Sequence, residues 1–400
     1  MRFSSSTPLS SAFVYNRRTM AVQRRELFWP SLMGGFVALT QSFIFFFIAL
    51  HLKDIEFSGL KIGMLFAMLH ITAIITAFPM GLSNDYLTPR RMTVVSLLLM
   101  GAALLGMAQT RKFLLYAAAF LLYGLAQNLF RISLDVLMLK VFRGEGKGKS
   151  LAIYNAIRMV GFGGGTLMGG LLVFGVGFEK TLVVIAALVL FCLLFAPKLP
   201  NYPATKATLA EYRADSFKPQ VLFLFFWMAI FASHWGAEHT CYGLFLKEGL
   251  GLSYEVMGAY MAIEILVLTL TVLYLGPRYD RGIDVYRWLY AGLFTSGLGA
   301  ALMTVPDFWV SLAFRSLHGI GDGILTIVVF LKISELFDPD RMGGNSGMFT
   351  LAMLSGNAAG SLVYGPMGQS MGYHVPMIVS GAITALLILP ILAAPKSWKA

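Results

Sequence analysis

Stretches of about 20 mostly apolar residues, the length a helix needs to cross roughly 30 Å of hydrocarbon, recur from one end of the chain to the other. Twelve are predicted, at 28–52, 60–82, 92–109, 113–139, 150–175, 178–197, 219–246, 255–276, 286–306, 308–337, 345–369 and 374–394. The segments 92–109, 181–197, 288–306 and 375–395 contain no Asp, Glu, Lys or Arg. The others carry isolated polar residues, which are costly in a bilayer interior and so mark positions that face a partner or a wet cavity. The pattern predicts an all-α integral membrane protein of twelve transmembrane helices.

Composition agrees. Of 400 residues, 57% are hydrophobic and 13% charged, against roughly 25% charged in ordinary soluble domains. Cys192 and Cys241 both lie in apolar stretches and cannot make a disulfide framework. The formal charge of +11 is scattered between apolar segments and forms no basic face, so nucleic acid is not an expected partner. Membrane topology accounts for it instead. Twenty-one Lys and Arg fall on the side of the termini and of the loops after even-numbered spans, and six (Lys53, Lys61, Arg111, Lys112, Lys180, Lys247) on the other. Because cytoplasmic loops retain Lys and Arg, both termini are expected in the cytoplasm, in a bacterial inner membrane. Residues 1–27, basic and Ser-rich with no acid before Glu26, read as a disordered cytoplasmic tail. Residues 198–218, with prolines and mixed charge, read as a central cytoplasmic linker between bundles at 28–197 and 219–394, with 395–400 a C-terminal tail.

The central linker invites a comparison of the halves. One shift of 195 residues superposes Gly63 on Gly258, Gly81 on Gly276, Asp85 on Asp280, Gly124 on Gly319, Gly161 on Gly356, Gly165 on Gly360 and Gly170 on Gly365. The chain is therefore read as a six-span unit used twice. Parallel repeats of this kind pack about an axis along the membrane normal, with the solute site near the midplane between them.

The connections after spans 2 and 8 carry a further pattern. They read Gly81-Leu-Ser-Asn-Asp85-Tyr-Leu-Thr-Pro89-Arg90-Arg91 and Gly276-Pro-Arg-Tyr-Asp280-Arg281. Together with the twelve spans and the charge bias, this Gly-x-x-x-Asp signature with its basic cluster resembles the major facilitator superfamily over residues 28–394. Thr88 replaces a usual Gly, and Asp284 stands where basic residues usually follow. The resemblance implies that Asp85, Arg90 and Arg91, with Gly81 and the second copy Gly276, Asp280 and Arg281, form gating loops. Positive-inside anchoring is the plain alternative for the arginines.

Ionisable residues inside spans are candidate functional groups. Span 4 holds Asn128, Arg131 and Asp135, the last two four apart on one helical face, where they could neutralise each other. Span 5 holds Arg158 before a glycine run, Gly161 to Gly170, that is similar to the family's exporter motif except that Thr166 stands in place of proline. Span 7 holds His234, Trp235, Glu238 and His239. His234 and Glu238 share a face, whereas His239 points about 100° away from Glu238. Burial in a membrane cavity favours the protonated form of a carboxylate, so acids of this kind can exchange protons near neutrality with histidine as relay. His234, Glu238, Glu264 and Asp322 are thus proton-coupling candidates. Arg131, Asp135, Arg158, Asn128, Gln41, Trp235, His239 and Arg315 are solute-cavity candidates. A zinc site is a weaker reading, since a third ligand is not evident near His234 and Glu238. Gln41, His70 and Asn357 could bond solute or tie helices together.

No Walker loop, HExxH, G-x-S-x-G or C-x-x-C occurs, so neither an enzyme nor a cofactor or metal is expected. The expectation is a secondary transporter, acting as a monomer in the lipid bilayer, that moves a small-molecule solute by alternating access with a proton as coupling ion. An uncoupled facilitator or exchanger, a drug or metabolite exporter, and a non-transporting sensor or assembly protein are the alternatives.

Overall fold

A computed structural model describes residues 9–86, 88–141, 147–200, 218–279, 284–336 and 342–393, and all of the regular structure among them is helical. In the first unit the helices are α1 (Leu9–Asp54), α2 (Gly59–Tyr86), α3 (Pro89–Ala108), α4 (Phe113–Val141), α5 (Lys147–Val176) and α6 (Phe178–Phe191, extended by the 3-10 turns Cys192–Lys198). In the second they are α7 (Pro219–Ala237, a π-helical turn Glu238–Tyr242, then Gly243–Glu248), α8 (Tyr254–Tyr279), α9 (Val285–Leu302), α10 (Phe308–Leu336), α11 (Met342–Met371) and α12 (His374–Leu386, then Ile388–Ala393). Among the described residues, all of these except α9 and α11 are long and apolar enough to cross a membrane.

Boundaries follow local chemistry. Thr88 caps α3 by accepting from the Arg91 N–H, with Pro89 in the first turn where its missing N–H costs nothing. Asp284 caps α9 by accepting from the N–H groups of Tyr286 and Arg287. Three expectations need correction. Helix is described from Leu9, where a disordered tail was expected ahead of the apolar span Leu27–Asp54, because neither Gly nor Pro interrupts the chain between Leu9 and Pro30. Gly81 and Asp85 lie in the last turns of α2, and Gly276 in α8, so most of the expected gating loops is helix and the true connection at Tyr86–Pro89 is very short. The span expected at 286–306 ends at Leu302, and a turn leads through Pro306 into α10. Asp280 and Arg281 lie outside the described residues, as does the side chain of Asp85.

The repeat is visible in packing and in backbone. In the first unit α1 packs on α5, α2 on α4, and α3 on α4 and α6; in the second α7 packs on α11, α8 on α10, and α9 on α10 and α12. Between units α2 packs on α11 and α5 on α8, again equivalent pairs. The 195-residue register extends to the left-handed turns: Glu56 and Gly251 both have φ 65°, and Gly177 and Gly372 have φ 85° and 99°. The two seams between units use the same residues. A Cβ on Gly63 would strike the carbonyl of Ser361, and one on Gly258 would strike that of Thr166. These pairs coincide under the same shift, as do Gly365 and Gly170, which meet Gly59 and Tyr254 across the same seams.

One end of the molecule joins the units most strongly. A buried apolar cluster runs from Phe43–Leu52 of α1 and Phe66 of α2 to Tyr242–Leu246 of α7 and Tyr260 of α8. At that end Lys53 pairs with Glu248, its own counterpart one repeat later, and sits 4.7 Å from the Tyr373 ring centroid. The Gly59 N–H donates to Gln369 Oε1 (2.5 Å). A second cluster, including Trp227, Leu289, Leu293, Leu325 and Leu387, belongs to the second unit alone.

Gly63→Ala and Gly258→Ala are each expected to destabilise the protein by about 1–3 kcal/mol, because a methyl there overpacks a backbone–backbone contact. Gly164→Ala, where nothing lies within 4 Å of the added methyl, should be neutral or stabilising by up to ~1 kcal/mol through helix propensity. Thermal unfolding in detergent measures both.

Candidate functional site

The second unit encloses a polar network at the centre of its helices. Arg315, on α10 and 1% exposed, donates from Nη2 to Glu238 Oε2 of α7 (3.0 Å) and reaches Glu264 Oε2 of α8 (3.4 Å). The other oxygen of Glu238 meets His318 Nε2 (2.8 Å), one turn along from Arg315. His318 Nδ1 lies 2.9 Å from the Ser296 carbonyl of α9, and the Ser296 hydroxyl donates to Asp322 Oδ1 (2.6 Å). Asp322 Oδ2 accepts from Trp235 Nε1 (3.4 Å) and faces His234 Nε2 (3.3 Å). The guanidinium of Arg315 also covers the Tyr242 ring at 4.6 Å, and Tyr242, Tyr260 and Ser311 continue the network as a chain of hydroxyls at 3.0 and 2.7 Å.

The local sequence explains the enclosure. Arg315, His318 and Asp322 recur at i, i+3 and i+7, which places them on one face of α10. Gly319 and Gly321 in between have no side chain, so the Glu264 carboxyl packs against the first and the Ser296 backbone against the second. On α7 the π-helical turn starts at Glu238. Such a turn adds a residue to the helical repeat and is frequent at functional positions. Glu238 faces α10, and the adjacent His239 stacks on Phe45 of α1 with ring centroids 4.3 Å apart.

Charge is not balanced by fixed cations. Three buried carboxylates, Glu238, Glu264 and Asp322, surround one permanent cation, Arg315, and two imidazoles, His234 and His318. If every acid were ionised and both imidazoles neutral, the cluster would carry two uncompensated negative charges in a low-dielectric site, a state that costs several kcal/mol per charge. Protons on the acids or imidazoles remove that cost. One ligand atom each from His234, Glu238 and His318 also lies within 4.8 Å of the others, so His318 is the third ligand that the sequence did not place near His234 and Glu238. Both Glu238 oxygens are already engaged, by Arg315 and His318, so the set is complete as a hydrogen-bonded network without an ion.

The first unit holds a separate pocket, lined by Gly34, Val37, Ala38 and Gln41 of α1, Gln127, Phe130 and Arg131 of α4, and Tyr154 and Arg158 of α5. Arg131 and Asp135 form no direct ion pair of the kind their spacing suggested. Arg131 donates to Asn128 Oδ1 (3.2 Å) and, across the units, to Thr350 Oγ1 of α11 (3.5 Å). Asp135 instead accepts from the Tyr154 hydroxyl (3.3 Å) and lies 3.9 Å from Arg158. Asn128 Nδ2 donates to the Ala73 carbonyl of α2, tying α4 to its neighbour. Gln127 Oε1 has no hydrogen-bond partner among the described residues.

The candidates therefore fall into three groups. His234, Trp235, Glu238, Glu264, Arg315 and Asp322 share the network of the second unit, where Arg315 is walled in by acids rather than lining a cavity. Gln41, Asn128, Arg131, Asp135 and Arg158 gather around the first-unit pocket. His239 belongs to neither and lies at the seam, 6.1 Å from the His70 ring of α2. His318 and Ser296 went unassigned at sequence level. The i, i+4 spacing of His318 to Asp322 was a usable signal for the first; nothing local marked Ser296, which acts through a tertiary contact.

Removing the cation is expected to expose this imbalance. Arg315→Gln should cost about 3–5 kcal/mol, as loss of one partner of a buried ion pair does, and Arg315→Gln combined with Glu238→Gln should recover part of it. Thermal unfolding of the single and double variants provides the measurement.

The profile of the Major Facilitator Superfamily matches residues 31–245 and again 226–399. Crystal structures of the nucleoside transporter NupG and of a point mutant of it superpose with TM-scores of 0.70 and 0.71, at 16% and 17% identity. The two matches cover 94% and 93% of this chain and 99% and 98% of theirs. Among curated proteins, Multidrug resistance protein 3 of Bacillus subtilis (strain 168) is 30% identical over 120 residues, 29% of this chain. That match spans 23% of the Bacillus protein's own length.

Proposed function

Because the chain belongs to the Major Facilitator Superfamily and transports a small solute across a membrane as members of that family do, we propose that it is a proton-coupled secondary transporter working by alternating access. Twelve spans, α1 to α12, cross the bilayer with both termini in the cytoplasm. The joined end, with Lys53, Glu248 and Gln369, then faces outward, and the two units rock about the seams at Gly63 and Gly258.

The observation that carries the reading is the surplus of acid around Arg315. Three carboxylates and one guanidinium form a site whose charge depends on bound protons, and His318 links Glu238 at 2.8 Å to the Ser296–Asp322 pair. In this scheme a proton held between His318, Glu238 and Asp322 leaves when the units move and Arg315 shifts between Glu238 and Glu264. Reprotonation from the other side resets the cycle. The acids thereby alternate between partners instead of ever standing ionised and alone, which a membrane interior would penalise. An uncoupled exchanger built on this fold would need only enough acid to balance its arginines; the second unit holds more.

Glu238→Gln and Asp322→Asn are expected to abolish solute movement driven by an imposed pH gradient in proteoliposomes while retaining labelled-solute counterflow. Gradient-driven transport at the wild-type rate in Glu238→Gln would remove that residue from coupling. Wild-type transport that ignores a collapsed pH gradient would favour the uncoupled exchanger.

A further inference from the structure

The two units are charged oppositely at their centres. Where the second has three acids around one arginine, the pocket of the first presents two arginines, Arg131 and Arg158, with Asp135 the one carboxylate in ion-pair range of either among the described residues. That carboxylate is 44% exposed and lies 3.9 Å from Arg158, a distant and solvent-weakened partner. Arg131 has neutral partners: the amide oxygen of Asn128 at 3.2 Å and the hydroxyl of Thr350 at 3.5 Å. A guanidinium is always charged, and holding one inside a membrane protein on neutral partners is costly unless something else pairs with it.

We infer that this pocket binds the anionic group of a small organic solute, a carboxylate or a phosphate, between Arg131 and Arg158. The guanidinium presents its N–H donors in a planar fork that matches the oxygens of either group, and charge-assisted bonds of this type are about twice as strong as neutral ones. Tyr154, whose ring lies 5.4 Å beneath the Arg158 guanidinium, holds that fork in place. Gln41 and Gln127 line the same pocket, and the unpartnered Gln127 Oε1 is available to a hydroxyl or amine carried beside the anion.

The inference deepens the transport reading and rests on it. Thr350 belongs to the second unit, so an anion that takes over Arg131 removes a contact between the units. Binding is thereby tied to their relative movement, with the anion in one unit and the exchangeable protons in the other.

The test uses the purified full-length protein in detergent, with thermal stabilisation read against concentration for paired probes: lactate and lactamide, glucose 6-phosphate and glucose, uridine monophosphate and uridine. The expected result is stabilisation by at least one anion at concentrations at least tenfold below its neutral partner. Response to lactate alone assigns a carboxylate, and response to the phosphate esters alone assigns a phosphate. Arg131→Gln and Arg158→Gln should each weaken the response tenfold or more, and Arg131→Lys should keep part of it. Stabilisation by the neutral member equal to that by the anion, no stabilisation by any anion, or an undiminished response in Arg131→Gln would overturn the assignment. Since no gradient is present, a failure of proton coupling leaves this result untouched, and a failure here leaves proton-coupled transport of a neutral solute standing.

Discussion

A single guanidinium buried among three carboxylates is the constraint on which the second unit is built. Arg315 is 1% exposed and touches both Glu238 and Glu264, and its face of α10 also presents His318 and Asp322. In water such a grouping would be worth little. Away from water each charge must be matched, and the matching dictates what surrounds it: glycines at 319 and 321 so that α8 and α9 can close in, a hydroxyl from Ser296, an indole from Trp235 and a π-helical turn that points Glu238 inward. The network ties four helices to one another, although the buried Arg315 Nε within it has no hydrogen-bond partner among the described residues. Its acids outnumber its one fixed cation, and a hydrogen-bonded cluster whose charge depends on bound protons is what the proposed coupling requires.

Under the proposed alternating access, the seams between the units would let such a site change its exposure. The two units meet through equivalent surfaces, Gly63 on Ser361 and Gly258 on Thr166, so at these points each seam is a backbone-to-backbone contact. Contacts of this type allow close packing without a strong hydrophobic bond between units, because lipid is as apolar as the helices themselves. The joined end adds polar ties: the Lys53–Glu248 pair sits on the pseudo-two-fold axis that relates the units, since its members are the same position in the two repeats. An exposed ion pair contributes modestly to stability.

Much of this was legible in the sequence because the membrane imposes strong rules. Helix positions came from apolar length, and expected limits such as 113–139 and 374–394 lie within two residues of Phe113–Val141 and His374–Ala393. The internal repeat came largely from glycines, of which Gly63, Gly258, Gly161, Gly356, Gly165, Gly360, Gly170 and Gly365 each face a neighbouring backbone, and the left-handed turns at Gly177 and Gly372 obey the same register. Acids and arginines inside spans were conspicuous because they are expensive there. Partnership was less legible. Arg131 and Asp135 share a helical face, yet Asp135 turns to Tyr154 and Arg158 on α5, a choice made by tertiary packing. The division of Glu238 from His239 followed from their adjacent helical positions, whereas no residue type announces the π-helical turn that starts at Glu238, and His318 meets Glu238 only once α7 and α10 are side by side. The Gly81–Arg91 stretch looked like a loop for its Asp, Thr and Pro, but those residues end one helix and cap the next.

Solute-specific proton movement tests the central claim most directly. Wild-type protein in sealed proteoliposomes holding a pH dye would be challenged with a panel of anionic and neutral solutes, with protein-free vesicles as control. The account predicts an internal pH change that appears only with a transported solute and vanishes in Glu238→Gln. Labelled-solute exchange proceeding with no proton movement in the wild type would contradict it, leaving the acids around Arg315 as structural counter-charges.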